Sequence, residues 1–353
     1  MSHRPTFYLF DGRVPQVNEP MSIDGPTPHR LGYTLSRRRF LKVTASAAGG
    51  SLLQPLARAA PESELRMPRG RPPSRVVQVQ SRQVVDGPVV HAALASEMLQ
   101  KALTSLTGTS TIGQAWQSIL KPDDVIGLKF NLSGQEVIGT TSTLADVLIG
   151  SIVQAGWRSA QIVCIEAPDG TEARHGTTPA HQGYDSSPTD FGSGADQYAS
   201  VLRQVTALID VPYLKTHNIA QMTCTLKNLS HGLIKHPARY HRNGCSPFVA
   251  DIVSAPPIRS KLRLCLVDAF RVVYARGPDA TTETISDEGI LLASFDPVAT
   301  DTVGLARLND IRRRFQLGPI ARSGSEVGYL AEAHRRGLGI ALWHGIDLIQ
   351  TEP

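Results

Sequence analysis

The sequence predicts an α/β fold with a mainly parallel central sheet and helices on both faces. Three observations lead there. Short apolar, β-branched runs alternate with helix-like stretches across residues 75–310. Those runs are near-continuously apolar, as strands buried on both faces are, and lack the alternation of a half-solvated sheet. Five of them end on, or lead into, a polar or ionisable residue, and open parallel sheets bind ligands outside the carboxyl ends of their strands.

Val76–Gln80 reads as the first strand, and Val89–Leu106 has helical spacing and good helix formers. Asp124–Asn131 is a strand, Leu144–Ala155 a helix and Gln161–Glu166 another strand. The segment 167–194 is rich in Gly, Thr, Ser, Pro and Asp and reads as a long loop. Gln204–Leu214 contains a strand and Ala220–Ile234 a helix. Arg263–Asp268 and Ile290–Asp296 complete the strands, followed by a helix from Pro297 to Leu308. The tail 311–353, with helix-like Glu326–Arg335 and Trp343, is expected to pack back on the domain or to form a subunit contact.

Ahead of this domain stands Ser36-Arg37-Arg38-Arg39-Phe40-Leu41-Lys42, then a weakly apolar run from Val43 to Leu56 and the small-x-small triplet Ala57-Arg58-Ala59. This is the layout of a twin-arginine export signal, with cleavage expected after Ala59. The apolar run is too short and too rich in Ala, Ser and Gly to span a bilayer, which takes ~20 apolar residues. The sequence thus implies a periplasmic or extracellular protein that meets the twin-arginine translocase during export and keeps no membrane anchor. Either Met1 or Met21 can start it. Residues 60–74, rich in Pro, Arg and Glu, read as an exposed leader.

Of the 36 basic and 31 acidic residues, eight basic and three acidic ones lie in 1–59. Subtracting them leaves 28 of each, so the mature chain is neutral and has no global field to attract nucleic acid. Cys164, Cys224, Cys245 and Cys265 form no C-x-x-C pair, which argues against an iron–sulfur cluster. Four cysteines allow three pairings, and Cys224–Cys245 is the least disfavoured bridge.

Between Asp210 and Asp251 there is no acidic residue, while Lys215, Lys227, Lys235, Arg239 and Arg242 stand with His217, His231, His236 and His241. In a neutral protein such a strip points to an anionic small molecule or cofactor. Lys129, Asn131 and Glu166 close two earlier strands at the same expected edge. His231, His236 and His241 are spaced by five, which is not the spacing of one helix face, and no H-E-x-x-H occurs. Asp268, Asp296 and Asp301 are candidate ligands of a divalent cation, with Asp296 also suited to cap the helix that begins at Pro297. Walker A, dinucleotide-fingerprint and G-x-S-x-G motifs are absent.

Several ordered segments resemble the family of domain of unknown function 362. They are Val125–Leu132, Val211–His217, Leu226–Leu229, then Arg239 with His241, Asp268, Gly277-Pro278 and Ile290–Asp301. The resemblance covers about 75–310 and implies an α/β domain, sometimes exported and sometimes joined to ferredoxin-type modules, which this chain lacks. The combined expectation is an exported enzyme binding an anion at the sheet's carboxyl edge. Lys129, Lys215, Lys227 and Arg239 would hold the anion and Asn131 and Asn228 orient it. His217, His241 or Glu166 would move protons. Redox chemistry fits the export route best. The alternative is a non-catalytic metal- or anion-binding or maturation protein.

Overall fold

The computed structural model describes residues 65–353 with the exception of Arg69, so the export signal and its cleavage site lie outside the described residues. Nine strands form one sheet: β1 Ser74–Gln80, β2 Ile126–Lys129, β3 Ile162–Ile165, β4 Ala207–Asp210, β5 Tyr213–His217, β6 Gln221–Thr223, β7 Leu262–Val273, β8 Ile285–Ser294 and β9 Ile346–Thr351. Their order is β9-β1-β8-β7-β4-β2-β3, with β5 also on β7 and β6 on β5. The pairings β9–β1, β7–β4, β4–β2, β2–β3 and β7–β5 are parallel. Only β6 and β8 run the other way. The sheet is therefore mainly parallel, as the uninterrupted apolar runs required.

The longer helices are α1 Ala92–Thr107, α2 Ile112–Ile119, α3 Thr141–Gln154, α4 Thr225–His231, α5 Phe248–Ser254, α6 Pro297–Arg314 and α7 Gly328–Arg335. Alternate residues of the strands feed two separate cores. Leu128, Ile209, Leu266 and Leu291 join Met98, Trp116 and Leu148 of α1, α2 and α3 on one face. Leu208, Val267 and Leu292 join Leu229, Ile252, Val303 and Leu330 of α4, α5, α6 and α7 on the other. A strand with apolar residues at every position can bury both sides only in this three-layer arrangement.

Three differences from the sequence reading have clear causes. The stretch 204–214 is two strands, because Pro212 has no N–H to give the ladder; both strands pair with β7, β4 before the proline and β5 after it. The expected helix 220–234 begins as β6 and becomes helical only at Thr225. The leader is not wholly exposed: Leu65 is buried with Ala331, Ile340 and Leu342. The tail supplies α7 and β9, so 311–353 belongs to the same sheet as β1. Among the described residues, no helix is long and apolar enough to cross a membrane.

Candidate functional site

The carboxyl edges of β2, β3, β4 and β5 converge beside α4. Lys129 ends β2 fully buried on the α4 side of the sheet. Its ammonium donates to the Phe130 carbonyl at 2.6 Å, Glu166 Oε2 at 3.0 Å and Asn228 Oδ1 at 3.0 Å. An ammonium has three protons, and all are used. Lys129 is therefore the fixed centre of a network and has no donor left for an anion. Gly232 makes room for it, because a Cβ there would sit 2.6 Å from Lys129 Nζ.

Asn228 extends the network. Its Oδ1 also accepts from Asn131 Nδ2 at 3.1 Å, and its Nδ2 donates to Asp210 Oδ1 at 2.8 Å. Burial raises the Asp210 carboxyl well above its usual range, with Lys129 and Asn228 acting against that rise. Asp210 was missed in the sequence because it lies inside a continuous apolar run; the Pro212 that follows was the available signal. Glu166 is exposed and adopts a left-handed backbone, φ 51°, which turns it toward Lys129. Such backbone in a non-glycine residue is costly and gathers at functional sites.

Lys215 and Lys227 retain free donors. Lys215 Nζ donates to the Ser133 carbonyl at 2.7 Å and reaches Asn131 Oδ1 at 3.4 Å. Lys227 Nζ lies 3.1 Å from His241 Nε2. Burial lowers both ammonium groups to about 8. Nearby Asp279 acts in the opposite direction on Lys215, and Lys227 adds to its depression.

His217 lies within the same cluster. Burial first, then Lys227, His241 and Lys215, lower its ring to about 3, so it is neutral at ordinary pH. Its Nδ1 accepts from the backbone N–H groups of Ile219 and Ala220, each at 3.1 Å. The single proton of a neutral ring must then sit on Nε2. His217 therefore presents a donor, Nε2–H, to the cluster. His217 and His241 stack with centroids 5.4 Å apart, and His231 meets His241 edge-on at 4.6 Å. His241 is also held below its usual range, by burial and then Lys227.

The remaining expected residues do not join this cluster. Arg239 lies exposed on the turn Pro237–Tyr240. Asp296 is at the opposite edge of the sheet, because β8 is reversed. There it caps α6 through the N–H groups of Val298 and Ala299 and pairs with Arg71. Asp268 accepts from the Thr140 and Thr141 hydroxyls at 2.7 and 3.3 Å. Asp301 accepts from the backbone N–H groups of Thr225 and Leu226 at 2.8 and 3.2 Å, which anchors the start of α4. The three aspartates therefore do not form one cation site. All four cysteines are free and buried, and Cys224 and Cys245 are not bridged.

Residues 126–306 match the family described as Domain of unknown function (DUF362). The chain belongs to this family. The matched segment contains every member of the cluster. Among solved structures the chain is similar to the lactate racemase apoprotein from Thermoanaerobacterium thermosaccharolyticum, at 11% identity and TM-score 0.34, over 64% of this chain and 55% of that one. It is also similar to a structural-genomics protein from Thermotoga maritima, at 9% identity and TM-score 0.31, over 66% of this chain and 61% of that one. Likenesses this distant bear on neither ligand nor reaction. No curated protein matches the chain.

Proposed function

We propose that this DUF362 protein is exported by its twin-arginine segment and binds a small anion between Lys215, Lys227 and His217, as an enzyme acting on that anion. The observation that carries the reading is the donor count: two buried ammonium groups with protons to spare and one imidazole N–H meet in one cluster. Buried charges normally find partners, and an anion supplies the missing ones. Glu166 and His241 are the groups on this edge suited to accept a proton, since His217 offers a donor. Half-buried Asn131 and His241 border the cluster.

Isothermal titration with sulfate, phosphate and small carboxylates tests the reading. The Lys215→Ala/His217→Ala double variant is expected to lose binding by at least ~100-fold while unfolding cooperatively, since hydrogen bonds to charged groups contribute about 1.5–3 kcal/mol each. Unchanged affinity would sink the assignment. A non-catalytic carrier with the same pocket differs only in returning its ligand unaltered.

A further inference from the structure

We infer that His231, His241 and Cys245 form a binding site for a thiophilic first-row divalent metal ion, zinc being the natural occupant, beside the anion cluster. One ring nitrogen of each histidine and the Cys245 sulfur lie within 4.8 Å of one another, the one such group among the described residues. A four-coordinate zinc ion with bonds of roughly 2.0–2.3 Å holds its donors about 3.3–3.8 Å apart, so small side-chain rotations close the set. Two imidazoles and a thiol are borderline-to-soft donors, which excludes magnesium and calcium as preferred ions.

The hydrogen bonds around His231 prepare it as a ligand. The Ser230 hydroxyl donates to the Lys227 carbonyl, so its oxygen is left to accept from His231 Nδ1, 3.0 Å away. That fixes the proton on Nδ1 and the lone pair on Nε2. Nε2 is buried and has no hydrogen-bond partner, although the Tyr240 carbonyl exerts a weak pull toward a protonated ring. An oxygen on the far nitrogen is the usual support of a metal-bound histidine. The backbone makes a matching concession at the third ligand. Asn243, Gly244 and Cys245 adopt φ of 55°, 62° and 65° in succession, a rare left-handed run that turns the fully buried Cys245 toward the two rings.

Three protein donors leave a four-coordinate ion one open position, as in catalytic zinc sites. Lys227, now 3.1 Å from His241 Nε2, would give up that nitrogen to the ion. The ion and the ammonium therefore compete for one lone pair. The metal site rests on its own three ligands; it shares only His241 with the anion cluster, where that ring stacks on His217 and meets Lys227.

Cobalt(II) titration of the reduced full-length protein, without added anion, tests the inference. Binding at one equivalent is expected, with a thiolate-to-cobalt charge-transfer band and visible bands of four-coordinate intensity, all abolished by zinc. His231→Gln should weaken binding by at least tenfold yet keep the thiolate band. Cys245→Ser should lose the band, with circular dichroism checking that it remains folded. Lys227→Met should bind cobalt no more weakly than the parent. Lys215→Ala should leave the cobalt spectrum unchanged while losing sulfate binding, which separates failure of one site from failure of the other. No cobalt uptake, uptake without a thiolate band, or affinity indifferent to His231→Gln would overturn it.

Discussion

At the scale of single residues, hydrogen-bond capacity decides roles that residue type leaves open. Lys129, Lys215 and Lys227 are equivalent in the sequence, yet Lys129 spends all three protons within the protein while the other two do not. Anion binding should accordingly follow the protonation of Lys215 and Lys227, both lowered to about 8. Sulfate keeps a constant charge over this range, so its Kd should be flat below pH 7. Above pH 8 it should rise toward about tenfold per pH unit for each ammonium required. A profile flat to pH 10 would remove both lysines from the site. Asp268 gives a second pH signature. Burial raises its carboxyl to about 6, against an ordinary value of ~3.9 in the unfolded chain. The folded state thus binds the extra proton between these values, and stability falls as pH rises through that window. The loss is of order 3 kcal/mol and is complete above pH 6. Urea unfolding at pH 4 and pH 7 should show a smaller slope in Asp268→Asn than in the parent, the slope that remains coming from Asp301 and Asp210, whose carboxyls burial raises in the same direction. The sequence showed that Lys215, Lys227 and His217 belong together, from the acid-free strip. It could not show that His217 is a donor, since that follows from where two backbone N–H groups point.

At the scale of elements, the site depends on how α4 and β5 are held. Asp301 from α6 binds the first two N–H groups of α4, the helix that carries Lys227, Asn228 and His231. Thr216 of β5 is gripped by Gly277, whose N–H donates to its hydroxyl and whose missing Cβ would lie 1.9 Å from the Thr216 carbonyl. Gly277→Ala is expected to displace β5, cost about 1–3 kcal/mol by overpacking and weaken sulfate binding, since Lys215 and His217 flank Thr216. Gly232→Ala should act on Lys129 in the same way, with a smaller effect on sulfate because Lys129 has no free donor. Thermal unfolding and titration of both variants would rank them, and the opposite order would contradict this division of labour. Strand and helix positions were legible from apolar periodicity where the runs were long. The β4–β5 step and the β6 start of the expected helix were not, because a ladder partner decides them. The direction of β8 was equally hidden. An apolar run reads the same in either sense, and that ambiguity misplaced Asp296 beside residues that lie at the other edge.

At the scale of the whole molecule, the three-layer fold places two apolar cores on either side of the sheet and gathers the buried Lys129, Asp210, Lys215 and Lys227 at one edge. The leader adds to this body through Leu65, packed with Ala331, Ile340 and Leu342. Leu65→Ala should cost about 2–3 kcal/mol in urea unfolding, as buried large-to-small changes do. No change would place that segment outside the cooperative unit. Export remains a reading of residues 36–59, and a reporter carrying 1–59 should reach the periplasm only with Arg37 and Arg38 intact. The most direct test of the central claim is a crystal structure with selenate, a sulfate isostere located by its anomalous scattering. The account predicts selenate within hydrogen-bond distance of Lys215 Nζ, Lys227 Nζ and His217 Nε2. Crystals whose selenate sits only on surface residues, with the cluster filled by water, would contradict it.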